Sequence, residues 1–185
     1  MDPKMILIFF AGMIVAAAGD HCVPHFCLCK RYEVHCEMPE DANSGEFTYY
    51  GYAADQCDQR GGYLANLDNP EIDTLVKNFI SKEGLGGPPC INKPSFGFFI
   101  GLTDSGTEGT YVWNNGNVIC EDDFTNWAPG EPNNNTNLNP EEGQDCVQLW
   151  YRFGHDGLWD DEYCNQRVKG YICEIPTHCC CSEGY

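Results

Sequence analysis

The chain has 185 residues, 42% hydrophobic and 13% aromatic, which suffices for one globular domain with a packed core and leaves little room for a second. Its formal net charge of -18 argues against a nucleic-acid partner, whose phosphates attract basic surfaces, and is compatible with cations, minerals or simple solubility. Thirteen cysteines point to disulfides and an oxidising compartment, and because the count is odd at least one thiol stays free or joins another molecule.

In chain order, Lys4, an apolar run from Met5 to Ala18, and small Ala16, Ala17, Ala18 and Gly19 before Asp20 predict a secretory signal over residues 1–19. The run is shorter than the roughly 20 apolar residues a spanning helix needs, and no later segment is apolar enough, so a secreted protein without membrane insertion is expected. Residues 20–36 hold Cys22, Cys27, Cys29 and Cys36 with His21, His25 and His35. Such density can bind zinc, but without a clean C-x-x-C spacing a small disulfide-bonded N-terminal segment is the preferred reading. Tyr50, Ala53, Ala54 and Cys57 suit a helix from Tyr50 to Arg60, stopped by Gly61-Gly62. A second helix has Asn69 as cap, Pro70 in its first turn and a core-facing stripe of Ile72, Leu75, Val76, Phe79 and Ile80, ending near Gly84. Thereafter Phe98 to Leu102, Tyr111 to Trp113, Cys146 to Tyr151 and Gly170 to Glu174 read as strands, with a turn over Asn114 to Asn117. Helices first and strands later indicate an α+β domain. Trp113, Trp127, Trp150 and Trp159 are assigned to the core, His155-Asp156 to a solvated loop, and Cys179-Cys180-Cys181 to a tail after the domain. No nucleophile motif accompanies these residues, so no enzymatic activity is expected.

The stretch from Asp122 to Gln144 is too rich in Pro, Gly and Asn to be helix or strand, and long loops in compact domains are usually functional or disordered. It contains Trp127-Ala128-Pro129-Gly130-Glu131-Pro132-Asn133 and leads to Gln144-Asp145-Cys146; further carboxylates follow at Trp159-Asp160-Asp161. Clustered side-chain oxygens on loops are what calcium needs, with its roughly six to eight oxygen ligands. Asn134-Asn135-Thr136 is also a glycosylation sequon, so Asn134 is a candidate glycan carrier.

The order Tyr50-x-x-Ala53-x-x-x-Cys57, Gly61-Gly62-Tyr63-Leu64-Ala65, Phe99-Ile100-Gly101-Leu102-x-Asp104, Glu108-Gly109, Trp113, Trp127-x-x-Gly130-Glu131-Pro132-Asn133, Asp145-Cys146, Trp159-Asp160-Asp161-x-x-Cys164 and Cys173-Glu174 resembles the C-type lectin domain. The match covers about residues 37 to 175, leaving a signal over 1–19, a Cys-rich N-terminal segment over 20–36 and a Cys-rich C-terminal tail over 176–185. The resemblance implies the C-type lectin-like fold: two helices, small antiparallel sheets, a long calcium-binding loop region, and disulfides Cys57–Cys173 and Cys146–Cys164. It also implies a cis Glu131-Pro132 bond, X-Pro being the one context where cis is cheap. Principal calcium ligands would be Glu131, Asn133, Gln144, Asp160 and Asp161; a second calcium would use Asp104, Glu108, Asn134 and Asp145.

The Glu-Pro-Asn triplet resembles the subclass that selects mannose-type sugars, in which two vicinal hydroxyls complete the calcium shell and Glu131, Asn133, Asp160 and Asp161 contact sugar. Mannose, N-acetylglucosamine and fucose would be preferred over galactose, on glycoproteins or microbial surfaces, in a defence or agglutination role. Three positions depart from the family pattern: Gln144 stands where Glu is usual, Asp160 where Asn is usual, and the longer insert from Asn134 to Gly143 offers Glu141 and Glu142 as substitute ligands. One shallow site calls for multivalency. The surplus cysteines would either link chains into a disulfide-bonded homo-oligomer or pair head with tail within one chain, and Cys90 with Cys120 is a further candidate bridge. The rival reading is an acidic extracellular or biomineral matrix protein that uses the same fold without binding sugar.

Overall fold

The second helix forms where the local chemistry places it. Asn69 is extended and its Oδ1 accepts from the N–H groups of Glu71 at 2.8 Å and Ile72 at 3.3 Å, which caps donors that no helical carbonyl reaches. Pro70 occupies the first turn, acidic Glu71 and Asp73 sit at the positive end of the helix dipole, and Lys82 sits at the negative end. The helix spans Pro70–Lys82 and buries Ile72, Asp73, Val76 and Ile80, whereas Leu75 of the predicted stripe is 43% exposed.

The computed structural model describes residues 4–8, 26–36, 48–83, 85, 97–138, 143–151, 154–166 and 170–180. Its elements in order are β1 (Lys4–Ile8), β2 (Phe26–His35), α1 (Tyr49–Asp58), β3 (Tyr63–Leu64), α2 (Pro70–Lys82), β4 (Gly97–Thr103), β5 (Val112–Trp113), β6 (Cys146–Trp150), β7 (Leu158–Glu162) and β8 (Gly170–Cys180). The strands join in one mixed sheet of order β1-β2-β8-β4-β6-β7, with β3 added to β8 and β5 to β4; only β4 with β8 is parallel among the described pairs. Cys57–Cys173 ties α1 to β8, and Cys146–Cys164 ties the start of β6 to the turn beyond β7.

Three segments differ from the sequence reading. Residues 26–35, read as a disulfide-bonded segment, form a ten-residue strand, and Cys36 just beyond it is disulfide-bonded. The strand expected over Gly170 to Glu174 continues to Cys180, so the supposed tail pairs with β2 from His35 opposite Tyr171 to Phe26 opposite Cys180. Pro176 hid this extension, because a proline inside a run reads as a strand end. The pairing sets Cys27 opposite Cys179 and lays the backbones of the two Cys-rich stretches side by side. Asp160 and Asp161, read as ligands on a loop beside the core residue Trp159, lie with it in the middle of β7.

Cys120 is free and exposed among the described residues, and Cys90, its candidate partner, lies outside them. The cysteine lies at a turn whose N–H donates to Asp123 Oδ2 at 2.7 Å, with its sulfur near the Val118 carbonyl instead of a second cysteine. Cys22, Cys90, Cys181, Glu141, Glu142 and most of the expected signal lie outside the described residues.

Trp159 is the centre of the main core. It is fully buried, with ring centroids 5.5 Å from Trp113 and 5.6 Å from both Phe124 and Trp127, all edge-to-face. Its Nε1–H donates to Asp73 Oδ1 at 3.0 Å. The buried Asp73 also accepts from Asn126 Nδ2 at 2.9 Å and pairs with Lys77 Nζ at 2.6 Å. This places a charged group in the core with every oxygen partnered, and it joins α2, β7 and the long loop. Trp150 departs from the core assignment: it is only partly buried and stacks on His155 at 4.2 Å.

Candidate metal centre

The loop is set on β7 by backbone bonds in both directions. Trp159 N–H donates to the Asn126 carbonyl and Ala128 N–H to the Trp159 carbonyl, each at 2.8 Å. Glu131 is held three residues further on, where its own N–H donates to Ala128 at 2.9 Å. The Glu131-Pro132 bond is cis, as the resemblance implied. Beyond it, Asn133 N–H donates to Asp161 Oδ1 at 3.0 Å and Asn134 N–H to Asp161 Oδ2 at 2.6 Å. Asn134 has φ of 42°, a left-handed conformation Asn tolerates. The fully buried Asp161 therefore fastens the loop tip to β7 with charge-assisted bonds.

Carboxylate oxygens of Glu131, Asp160 and Asp161 all lie within 4.8 Å of one another, the one such acidic group among the described residues. Asn133 Nδ2 donates to Glu131 Oε2. Of the predicted principal ligands, Glu131, Asn133, Asp160 and Asp161 thus converge. Gln144 is engaged elsewhere: its Oε1 accepts from Asn135 N–H at 3.0 Å, its N–H donates to Asn134 Oδ1 at 2.9 Å, and its Nε2 reaches Glu162 Oε1 at 3.3 Å.

Two residues of this centre escaped sequence reading. Gln148 lies opposite Asp160 across the β6–β7 pair, and strand periodicity puts Glu162 on the same face. Gln148 Nε2 donates to Asp160 Oδ2 at 2.8 Å and to Glu162 Oε2 at 3.3 Å. Its Oε1 is buried without a partner, which costs about 1–3 kcal/mol. The signal was an amide inside the apolar run Cys146 to Tyr151, a strand that otherwise reads as core.

Electrostatics show what crowding does without a cation. Burial, then repulsion from Glu131, Glu162 and Asp161, pushes the Asp160 carboxyl up to about 8, against the opposing pull of the Gln148 N–H. Burial and Asp161 push Glu131 up to about 7, with Asn133 and Asp160 partly offsetting this. Burial also raises Glu162. The folded site therefore holds protons that an unfolded chain releases, so the contribution of Glu131 and Asp160 to stability in chelator is full below about pH 4 and is lost as pH rises through about 7 to 8. A thermal melt in chelator should show the midpoint falling between about pH 5 and pH 8, less steeply in Asp160→Asn. An identical slope in that variant would contradict the assignment.

Oxygen-only donors, several of them charged and close enough to raise one another's hold on protons, fit a hard divalent ion such as calcium. Of the second predicted set, Glu108 and Asp145 lie near Asp104, but their oxygens are not among the acidic groups that converge. Asp104 is buried, its Oδ2 accepts from Gly109 N–H at 2.8 Å, and its Oδ1 has no hydrogen-bond partner. Burial chiefly, then Glu108 and Asp145, push it up to about 6. Asn134 points its Oδ1 at Gln144 N–H instead of joining that group by the same lone pair.

This architecture, with the disulfides Cys57–Cys173 and Cys146–Cys164 and an acidic loop on β7, is that of the C-type lectin-like fold. Residues 48–175 match the family described as "Lectin C-type domain", and the chain belongs to it. It is 31% identical over 172 residues to a perlucin-like protein of Mytilus galloprovincialis, covering 91% of this chain and 95% of that one. It is 32% identical over 162 residues to an alpha-N-acetylgalactosamine-specific lectin of Patiria pectinifera, covering 86% and 76%. Among solved structures, human lithostathine aligns with a TM-score of 0.57 at 19% identity, covering 80% of this chain and 92% of that one, a likeness of fold.

Proposed function

We propose that this chain is an extracellular calcium-dependent lectin for mannose-type sugars, with Glu131, Asn133, Asp160 and Asp161 holding the ion. The observation that carries it is the convergence of Glu131, Asp160 and Asp161 within 4.8 Å, with Asn133 bonded to Glu131. Bound calcium supplies open coordination positions for two vicinal sugar hydroxyls. Around them, Glu131 accepts a hydroxyl proton and the Asn133 amide donates to the same hydroxyl. Asp161 fixes both residues through the Asn133 and Asn134 N–H groups. Asp160 brings the negative charge that Gln144 lacks.

The relative from Patiria is named for N-acetylgalactosamine, so kinship supports sugar without deciding which. The order of acid and amide at Glu131 and Asn133 supports the mannose type. Glu131→Gln combined with Asn133→Asp reverses that order and should move preference from mannose toward galactose on a glycan array. An unchanged profile would remove the triplet as selector. Retention on the array should vanish in chelator, and persistence there would sink the mechanism. A matrix protein without sugar affinity, the second reading, is favoured by the -18 charge and would adsorb to calcium carbonate while leaving the array blank. A second ion at Asp104, Glu108 and Asp145 would relieve the buried Asp104 Oδ1.

A further inference from the structure

We propose that Gln148 is a positioning residue for the metal centre, aiming the Asp160 carboxylate at the cation; this rests on the calcium reading above. Gln148 is nearly fully buried on β6, and its strand register sets it directly opposite Asp160. A buried glutamine in an apolar strand needs a reason, since its amide must be satisfied or its burial is unfavourable. Here only half of it is satisfied. Nε2 serves Asp160 Oδ2 at 2.8 Å and Glu162 Oε2 at 3.3 Å, while Oε1 has no partner.

The amide cannot be turned to relieve this. Flipping it would aim a carbonyl oxygen at two carboxylates, so the acids fix the orientation. The backbone also makes room for that orientation. A Cβ on Gly97 of β4 would stand 2.1 Å from Gln148 Oε1, so glycine there leaves the space in which the orphaned oxygen lies. Holding Oδ2 of Asp160 leaves its other oxygen for the cluster with Glu131 and Asp161. The same Nε2 links Asp160 to Glu162, and Glu162 Oε1 takes the Gln144 amide at 3.3 Å. Amide and acid alternate from Gln144 through Glu162 and Gln148 to Asp160. The acid missing at position 144 is compensated by an acid at 160 that Gln148 orients, and Gln144 serves this chain of bonds instead of ligating.

Residues that orient metal ligands through hydrogen bonds typically change affinity about 10- to 100-fold when lost. Calcium titration by calorimetry of the full chain, Gln148→Met and Gln148→Glu should show both variants weakened about 10-fold or more. Met preserves length without a donor; Glu preserves shape and, ionised, only accepts, so it carries the test if the Met variant fails to fold. Terbium in place of calcium provides a readout that a merely structural role would not move: luminescence decay in ordinary and heavy water should report an additional metal-bound water in the variants, where Asp160 is no longer aimed. In chelator, Gln148→Met should shift the melting midpoint little, because removing the orphaned oxygen offsets the lost donor to Asp160 and Glu162. Unchanged calcium affinity and hydration in a folded variant would overturn the positioning role. A wild-type chain that takes up neither ion would overturn the metal reading itself, and this role with it.

Discussion

Asp161→Ala should abolish calcium binding, weakening it by about a hundredfold or more, roughly 3 kcal/mol, and retention on immobilised mannose should disappear with it. Asp161 is the one acid of the cluster that is fully buried, and it does two jobs at once. It contributes an oxygen to the cluster, and it receives the N–H groups of Asn133 and Asn134 that hold the loop tip to β7. Hydrogen bonds to a charged group contribute about 1.5–3 kcal/mol each, so losing the pair frees Glu131 and Asn133 from their geometry as well as removing a ligand. Stability in chelator should change far less than affinity, because the substitution also relieves repulsion at Glu131 and Asp160. Asp161→Asn separates the two roles: the amide can still accept from one N–H but lacks the charge, so the loop is partly held while calcium affinity stays low. Wild-type affinity in Asp161→Asn, read by calorimetry, would show that the cluster does not need this charge.

Trp159→Ala should destabilise the fold by about 3–5 kcal/mol, the range for large aromatic truncations in a core. Three aromatic rings pack edge-on against it, and its Nε1–H is one of the partners that satisfy the buried Asp73. Truncation leaves a cavity and an under-bonded buried carboxylate together, and the second effect adds to the first. Trp159→Phe isolates them: the ring is largely kept, and the loss should be about 1–3 kcal/mol from the Asp73 bond. Denaturant unfolding in chelator measures both without interference from ion binding. Equal stability of wild type and Trp159→Phe would show that Lys77 and Asn126 suffice for Asp73. Because the Trp127 ring of the loop packs edge-on against the Trp159 ring, the Ala variant should also lose calcium affinity.

The helices were legible because their signals are local: the Asn69 cap, Pro70 and the spacing of Ile72, Val76 and Ile80 act within a few turns. The strands β4 and β6 were legible as apolar runs. What escaped reading depends on partners distant in sequence. β2 and the far half of β8 are strands because each supplies the other's ladder across more than a hundred residues, and neither has a pattern that specifies this alone. At the site, the motif named Glu131, Asn133, Asp160 and Asp161, and the structure brings them together. Gln144 was included by its position in the motif, yet its amide is drawn to Glu162 and Asn135. Gln148 and Glu162 went unread, since only the strand register shows that an amide in an apolar run faces Asp160.

The most direct test of the calcium site is a calorimetric calcium titration of the wild-type chain near neutral pH, repeated in two buffers of different ionisation enthalpy. Glu131 and Asp160, pushed up to about 7 and about 8, hold protons when no cation is present, and ligation requires them ionised. The expected result is saturable binding with net proton release, seen as a heat that differs between the buffers and shrinks in Asp160→Asn. Absence of binding heat in both buffers, together with an unchanged thermal midpoint on adding calcium, would contradict a calcium site at this cluster.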